Sequence, residues 1–151
     1  NMDSQVPNKA AAEWIRNGGL FPEEVTVKTE KTYGNSRFDI YVESEQRKAF
    51  IEVKGVTLEA DNIARFPDAP TERGIKHVEE LIRCLEDGYE AYLLFVIQMK
   101  GIREFEPNWS THPQFGEVLQ KARNAGVHLL AYDCLIREDY IEIQDPVPIR
   151  L

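Results

Sequence analysis

Asp39, Glu52 and Lys54 are the residues of this sequence whose types and spacing suit the chemistry of a bound divalent cation. Asp39 lies in an alternating apolar and polar stretch, Arg37–Val42. Glu52 and Lys54 lie two residues apart in a second, Lys48–Lys54, and a short charged turn joins the two. Both stretches read as β-strands. Side chains of a strand alternate sides, so Glu52 and Lys54 point the same way. A turn centred on Glu45–Gln46, or a four-residue loop Ser44–Arg47, sets Asp39 opposite Glu52, Arg37 opposite Lys54 and Tyr41 opposite Phe50. Opposed side chains have Cβ atoms roughly 4.5–5.5 Å apart, and like charges there are destabilising. Two facing carboxylates need a reason, and a divalent cation is the simplest. Mg²⁺ takes oxygen ligands and commonly uses one or two carboxylates plus water. The alternative is a ladder of salt bridges on a solvent-facing strand.

The rest of the chain supplies a frame for these strands. Asn8–Asn17 reads as a helix with Ala10, Ala11, Trp14 and Ile15 on its apolar side, ended by Gly18-Gly19. Val25–Tyr33 reads as a strand, turned at Gly34-Asn35 into the pair above, so three antiparallel strands follow in meander order. Phe38, Ile40 and Val42 are expected on one face of the second strand, and Ala49, Ile51 and Val53 on one face of the third. A long loop, Leu58–Pro70, leads to a helix with the stripe Ile75, Val78, Leu81, Ile82 and Leu85. Asp68 or Thr71 can cap it, Pro70 suits its first turn, and Gly88 stops it. Ala91–Ile97 is a continuous apolar run, expected as a strand buried on both faces. Strand, helix, strand implies a parallel pair with a right-handed crossover. A loop from Gln98 through Trp109, a helix over Pro113–Ala125 and strands over Val127–Cys134 and Tyr140–Ile143 complete the expectation.

The chain has 151 residues, the size of one domain, 1–151, with a sizeable core. No apolar run approaches a membrane span and no charged-then-apolar leader opens the sequence, so a soluble, cytoplasmic protein with no membrane partner is expected. Cys84 and Cys134 lack metal-ligand spacing and read as free core thiols. The net charge of −8 argues against a broad nucleic-acid-binding surface. It does not exclude a nuclease, because acids that hold a metal count against the total while the ion inverts their field.

An Asp on one strand and Glu-x-Lys on the next resembles the active-site skeleton of the PD-(D/E)XK nucleases, with Phe38 where that superfamily has Pro. YGNSRFD (Tyr33–Asp39), IEVKGVTL (Ile51–Leu58) and FPDAPTERGIKH (Phe66–His77) resemble the sugar fermentation stimulation protein family more specifically. So do LLFVIQ (Leu93–Gln98), FEPN (Phe105–Asn108), HPQF (His112–Phe115) and AGVHLLAYDC (Ala125–Cys134). The resemblance runs from about Val6 to about Ile143. It implies an α/β fold with a restriction-endonuclease-like core, a mixed sheet in the order α-β-β-β-α-β flanked by helices, with an added helix and two further strands. It also implies an OB-like barrel ahead of this domain in the full-length protein. For the site it implies Mg²⁺ or Mn²⁺ on Asp39, Glu52 and the Val53 carbonyl, with Lys54 holding the attacking water or neutralising charge on phosphorus. Many PD-(D/E)XK enzymes bring an acid from the first helix toward the metal, which nominates Glu13 against the plain reading of a solvated helix residue.

Gln98, at a strand's carboxyl end, can bond a water or phosphate there or simply cap the loop. Arg73, Lys76 and His77, at a helix start, can contact phosphates or form a solvated polar face. Arg37, expected opposite Lys54, is the stronger phosphate contact. His112 stands where the family pattern has Asp and receives no catalytic role, and His128 reads as structural. Trp109 can stack on a base or anchor its loop. Three functions compete: a metal-dependent nuclease domain acting on DNA, with RNA not excluded; a non-catalytic DNA-binding regulator of sugar metabolism that keeps the nuclease fold; and a protein-interaction module with an inert site.

Overall fold

The computed structural model describes residues 5–151 of the chain, so the first four residues of the expected domain lie outside it. In chain order the elements are α1 (Gln5–Arg16), β1 (Thr26–Tyr33), β2 (Ser36–Glu43), β3 (Lys48–Val56), β4 (Leu58–Ala60) and β5 (Ile63–Phe66). Then come α2 (Glu72–Glu86), β6 (Glu90–Ile97), β7 (Glu104–Pro107), α3 (Pro113–Ala125), β8 (His128–Ile136) and β9 (Ile141–Pro146). None of these helices is long and apolar enough to cross a membrane.

A six-stranded mixed sheet runs β1-β2-β3-β6-β8-β9. Its first three strands form the antiparallel meander, β3, β6 and β8 are parallel, and β9 returns antiparallel. The parallel steps are bridged by α2 and α3, as strand–helix–strand connections require. Tyr41 faces Phe50 and Ile40 faces Ile51, the register expected from the turn. β6 is buried along its length after Glu90. Leu93, Phe95 and Ile97 pack with α2 and α3 through Leu81, Phe115 and Leu119. Leu94 and Val96 pack on the other face with Ala11 and Ile15 of α1. One helix therefore covers one face of the sheet and two cover the other. Cys84 and Cys134 are buried free thiols within these two cores.

Three expectations are corrected. The 58–70 segment holds the β4–β5 hairpin, which turns through Asp61 and Asn62 at φ 55 and 65 and joins β7 in a second sheet, β4-β5-β7. A two-residue turn of this kind needs positive φ at both central positions, which Asp and Asn tolerate. All three residues of β4 are exposed, so no apolar alternation marks it. Thr71 caps α2, its side chain accepting from the Gly74 N–H at 2.9 Å, and Pro70 precedes the cap instead of entering the first turn. Phe38 does not share a face with Ile40 and Val42. It packs with Tyr33, Phe50 and the α2 side, and the alternation slips at Asp39. The β1–β2 ladder omits the Glu30–Asp39 pair, where Glu30 has φ 56. The β2–β3 ladder stops at Ile40–Ile51.

Candidate functional site

The slip at Asp39 opens the meander where β2 and β3 part. The ladder pair that would follow Ile40–Ile51 is missing, and the Asp39 carboxylate fills its place by accepting the Val53 N–H at 2.8 Å. A strand residue turns its N–H and C=O to the same edge, so the Val53 carbonyl lies on the side of β3 that faces Asp39. The other Asp39 oxygen accepts from Asn8 Nδ2 of α1 at 3.0 Å. Glu52 stands close enough to Asp39 for its charge to act on that carboxyl.

Glu52 is only 3% exposed, and its two oxygens are treated unequally. Oε2 meets Lys54 Nζ at 3.2 Å and His77 Nδ1 at 2.8 Å. Oε1 is buried with no hydrogen-bond partner among the described residues. Lys54 Nζ also lies 3.0 Å from His77 Nδ1, closing a triangle of Glu52, Lys54 and His77. Burial, followed by the charge of Glu52, pushes Asp39 up to about 7. Burial alone would raise Glu52 as well. The hydrogen bond from His77 and the charge of Lys54 outweigh it and hold Glu52 below the usual carboxylate range. The pair therefore divides one proton, with Asp39 the member that takes it.

These groups line a cavity of about 590 Å³ walled by α1 (Gln5, Pro7, Asn8), by β2 and β3, and by the first turns of α2 (Arg73, Gly74, His77), with Gln98 behind. Gly55 is required at its floor. A Cβ there would lie 2.8 Å from both Gln98 Nε2 and Pro7 Cγ. Gly55→Ala is accordingly expected to destabilise the protein by about 1–3 kcal/mol through overpacking, checked by thermal melting. A melting temperature equal to the wild type's would show that Gln98 and α1 yield freely.

Asp39, Glu52, Lys54, Val53, Arg37, Arg73 and Gln98 all line this cavity. Gln98 Oε1 is a second buried oxygen without a partner. Arg37 is not held over Lys54: its exposed guanidinium pairs with Glu30 at 3.2 Å on the rim. Lys76 is exposed on α2 and does not line the cavity. Glu13 is exposed on α1 and lines a different depression with Trp14 and Tyr140. It stands more than one helical turn beyond Asn8, and Asn8 is the α1 residue that reaches Asp39.

Sequence reasoning puts His77 on a polar helix face, and it misses Asn8 and Gly55. The spacing of Arg73 and His77, four apart on one helix face, is the available signal. His112 is buried, and its Nδ1 accepts the Thr71 N–H at 3.1 Å, so it braces the cap of α2. His128 is exposed and stacks on Tyr92 at 4.7 Å. Trp109 packs so closely on Gly116 of α3 that a Cβ there would meet its ring at 2.4 Å, an anchoring role.

No group of three or more His, Cys, Asp or Glu side chains in a metal-holding arrangement occurs among the described residues. A site here would rest on two carboxylates. That suits a hard cation that keeps several waters, whereas structural zinc sites use four nitrogen or sulfur ligands.

The family described as sugar fermentation stimulation protein RE domain matches residues 5–140. Proteins named sugar fermentation stimulation protein homolog from Clostridium beijerinckii and Ruminiclostridium cellulolyticum are each 56% identical to this chain over 151 residues, which is all of this chain and 67% of theirs. A solved structure of Pyrococcus furiosus SfsA in complex with Ca²⁺ superposes with a TM-score of 0.88 at 27% identity, covering 97% of this chain and 65% of that one. The chain thus spans about two thirds of the length of these relatives.

Proposed function

This chain belongs to the sugar fermentation stimulation protein family, and from that premise we propose that its Asp39–Glu52–Lys54 cavity is a divalent-cation-dependent phosphodiesterase centre acting on DNA. The observation that carries the reading is Glu52 Oε1, a buried carboxylate oxygen without a donor, beside a second carboxylate. A buried charged oxygen without a partner is costly. A cation held by Asp39 and Glu52 would remove that cost. The element order α1-β1-β2-β3-α2-β6, with the acid on β2 and Glu-x-Lys on β3, supports a PD-(D/E)XK-like core. The Pyrococcus relative was solved in complex with Ca²⁺, an oxygen-seeking cation of the same hard class as Mg²⁺, which supports the same kind of site here.

Asp39, Glu52 and the Val53 carbonyl would hold the ion, Mg²⁺ or Mn²⁺. Bound there, such an ion polarises a phosphate oxygen and lowers the pKa of bound water. Lys54 keeps its ammonium at the mouth of the acid pair, where it can donate to the attacking water or to the phosphate as negative charge builds on it. Arg73 on α2 and Arg37 on the rim are the cations that a phosphate backbone would meet first, and Gln98 Oε1 offers an acceptor to a water at the back wall. With so few basic groups and a net charge of −8, affinity is expected to be weak and its salt dependence shallow.

Incubating the protein with single- and double-stranded DNA, and with RNA, in Mg²⁺, Mn²⁺ or chelator tests the reading. Cleavage of DNA that requires the ion and is lost in Lys54→Ala, by roughly 10²–10³-fold, is expected. Binding without cleavage in any ion would leave the non-catalytic regulator as the better description.

A further inference from the structure

His77 lies outside the acid–acid–lysine set, yet it makes the shortest ion-pair contact in the cavity, 2.8 Å from its Nδ1 to Glu52 Oε2. Resting on the cation-site reading above, we propose that His77 is a positioning residue: it fixes Glu52 through Oε2 so that Oε1 is the oxygen presented to the ion.

A carboxylate on a flexible side chain has two equivalent oxygens, and an ammonium beside it can draw either one. Lys54 alone would not distinguish them, because its amine rotates on a four-carbon stem with three donors. His77 is different. It projects from α2, an element capped by Thr71 and packed into the core through Val78 and Leu81. Its ring is held where Nδ1 meets both Oε2 and the Lys54 amine, the latter at 3.0 Å. With its proton on Nδ1, the ring donates to Oε2 from a rigid helix, and Lys54 donates to that same oxygen rather than to the ring. Oε1 stays buried and unpartnered. The result is a carboxylate with one oxygen anchored and the other kept free of protein donors. Partners of this kind, which orient a metal ligand from behind, typically change metal affinity by 10–100-fold when removed.

The discriminating pair of variants is His77→Phe, which keeps a ring and removes the donor, and His77→Asn, which keeps an N–H near the Nδ1 position and removes the ring. Mn²⁺ affinity of the whole chain is measured by isothermal titration calorimetry, with melting in chelator to show that each variant is folded. Positioning through the donor predicts Mn²⁺ binding weakened 10–100-fold in His77→Phe and largely recovered in His77→Asn. A packing role predicts the reverse order. The reverse order, equal affinity in all three proteins, or equal loss in both variants would each overturn the proposal. Absence of Mn²⁺ binding by the wild type would instead sink the cation-site reading itself, and the two failures are thereby told apart. Should His77→Phe fold poorly, His77→Ala replaces it with the same expectation.

Discussion

Glu52→Gln is expected to lower cation-dependent DNA cleavage by roughly 10³-fold and to abolish the rise in melting temperature that Mn²⁺ gives the wild type. The amide keeps the shape of the side chain and can still accept at the Oε2 position, but it removes the negative charge that the unpartnered oxygen offers. Metal-based stabilisation of developing charge amounts to several kcal/mol, and each 1.36 kcal/mol is tenfold in rate. The stability readout is independent of turnover. An ion at about 100 times its Kd stabilises a protein by ~2.7 kcal/mol, and for a chain of this size each kcal/mol moves the melting temperature by ~2–4 °C. The wild type should thus gain about 5–10 °C on moving from chelator to saturating Mn²⁺, and the variant almost nothing. Equal gains in both proteins would place the ion away from Glu52.

Asp39→Asn should behave in the opposite way when no ion is bound: in chelator at pH 8 it is expected to melt above the wild type. Asp39 is raised from an ordinary 3.8 to about 7, by burial first and by Glu52 second. Between those values the folded state binds a proton that the unfolded state has already released. Stability therefore falls as pH rises from about 4 to about 7, and the full loss is carried above 7. A shift of this size corresponds to about 4 kcal/mol. An amide at this position cannot ionise, and its oxygen can keep the Val53 N–H bond while the Asn8 amide turns over to accept. Subtracting the two proteins' melting temperatures cancels every other titrating group. The difference should be close to zero at pH 4 and reach about 8–16 °C at pH 8. Saturating Mn²⁺ should shrink or invert it, because only the wild type retains both acids. A difference that does not vary with pH would show that Asp39 carries no such penalty.

The parts of this molecule that are legible in its sequence are those written in side-chain period. β6 stands out because both of its faces are buried, and β3 because Ala49, Ile51 and Val53 alternate strictly into the α1 core. The register of the β2–β3 hairpin follows from its short turn, and with it the convergence of Asp39, Glu52 and Lys54 on one cavity. What escapes is written in backbone geometry or across large distances in the chain. The ladder breaks around Asp39, and the positive φ of Glu30 leaves no compositional mark on a residue type that rarely adopts it. β4 is wholly exposed and β7 only four residues long, so neither carries enough pattern to be seen. Asn8 and His77 are single polar residues on helices that read correctly. Their partners, Asp39 and Glu52, lie 31 and 25 positions away in the chain, and only the packing of α1 and α2 on opposite faces aims them at one gap.

The way α1 is held joins the cavity to both ends of the domain. This first helix brings Pro7 and Asn8 to the cavity, but it is seated from behind by the far end of the sequence. Trp14 packs on Tyr132 of β8 at 4.6 Å, and α1 lies against β9. Within this domain, a helix early in the chain thus leans on strands late in it. During synthesis, when a chain emerges from its N-terminal end, α1 can lean on β1, β2 and β3 before β8 and β9 are there to complete its seat. The wall that Asn8 gives the acid pair is then backed on one side only, and β8 and β9 complete it.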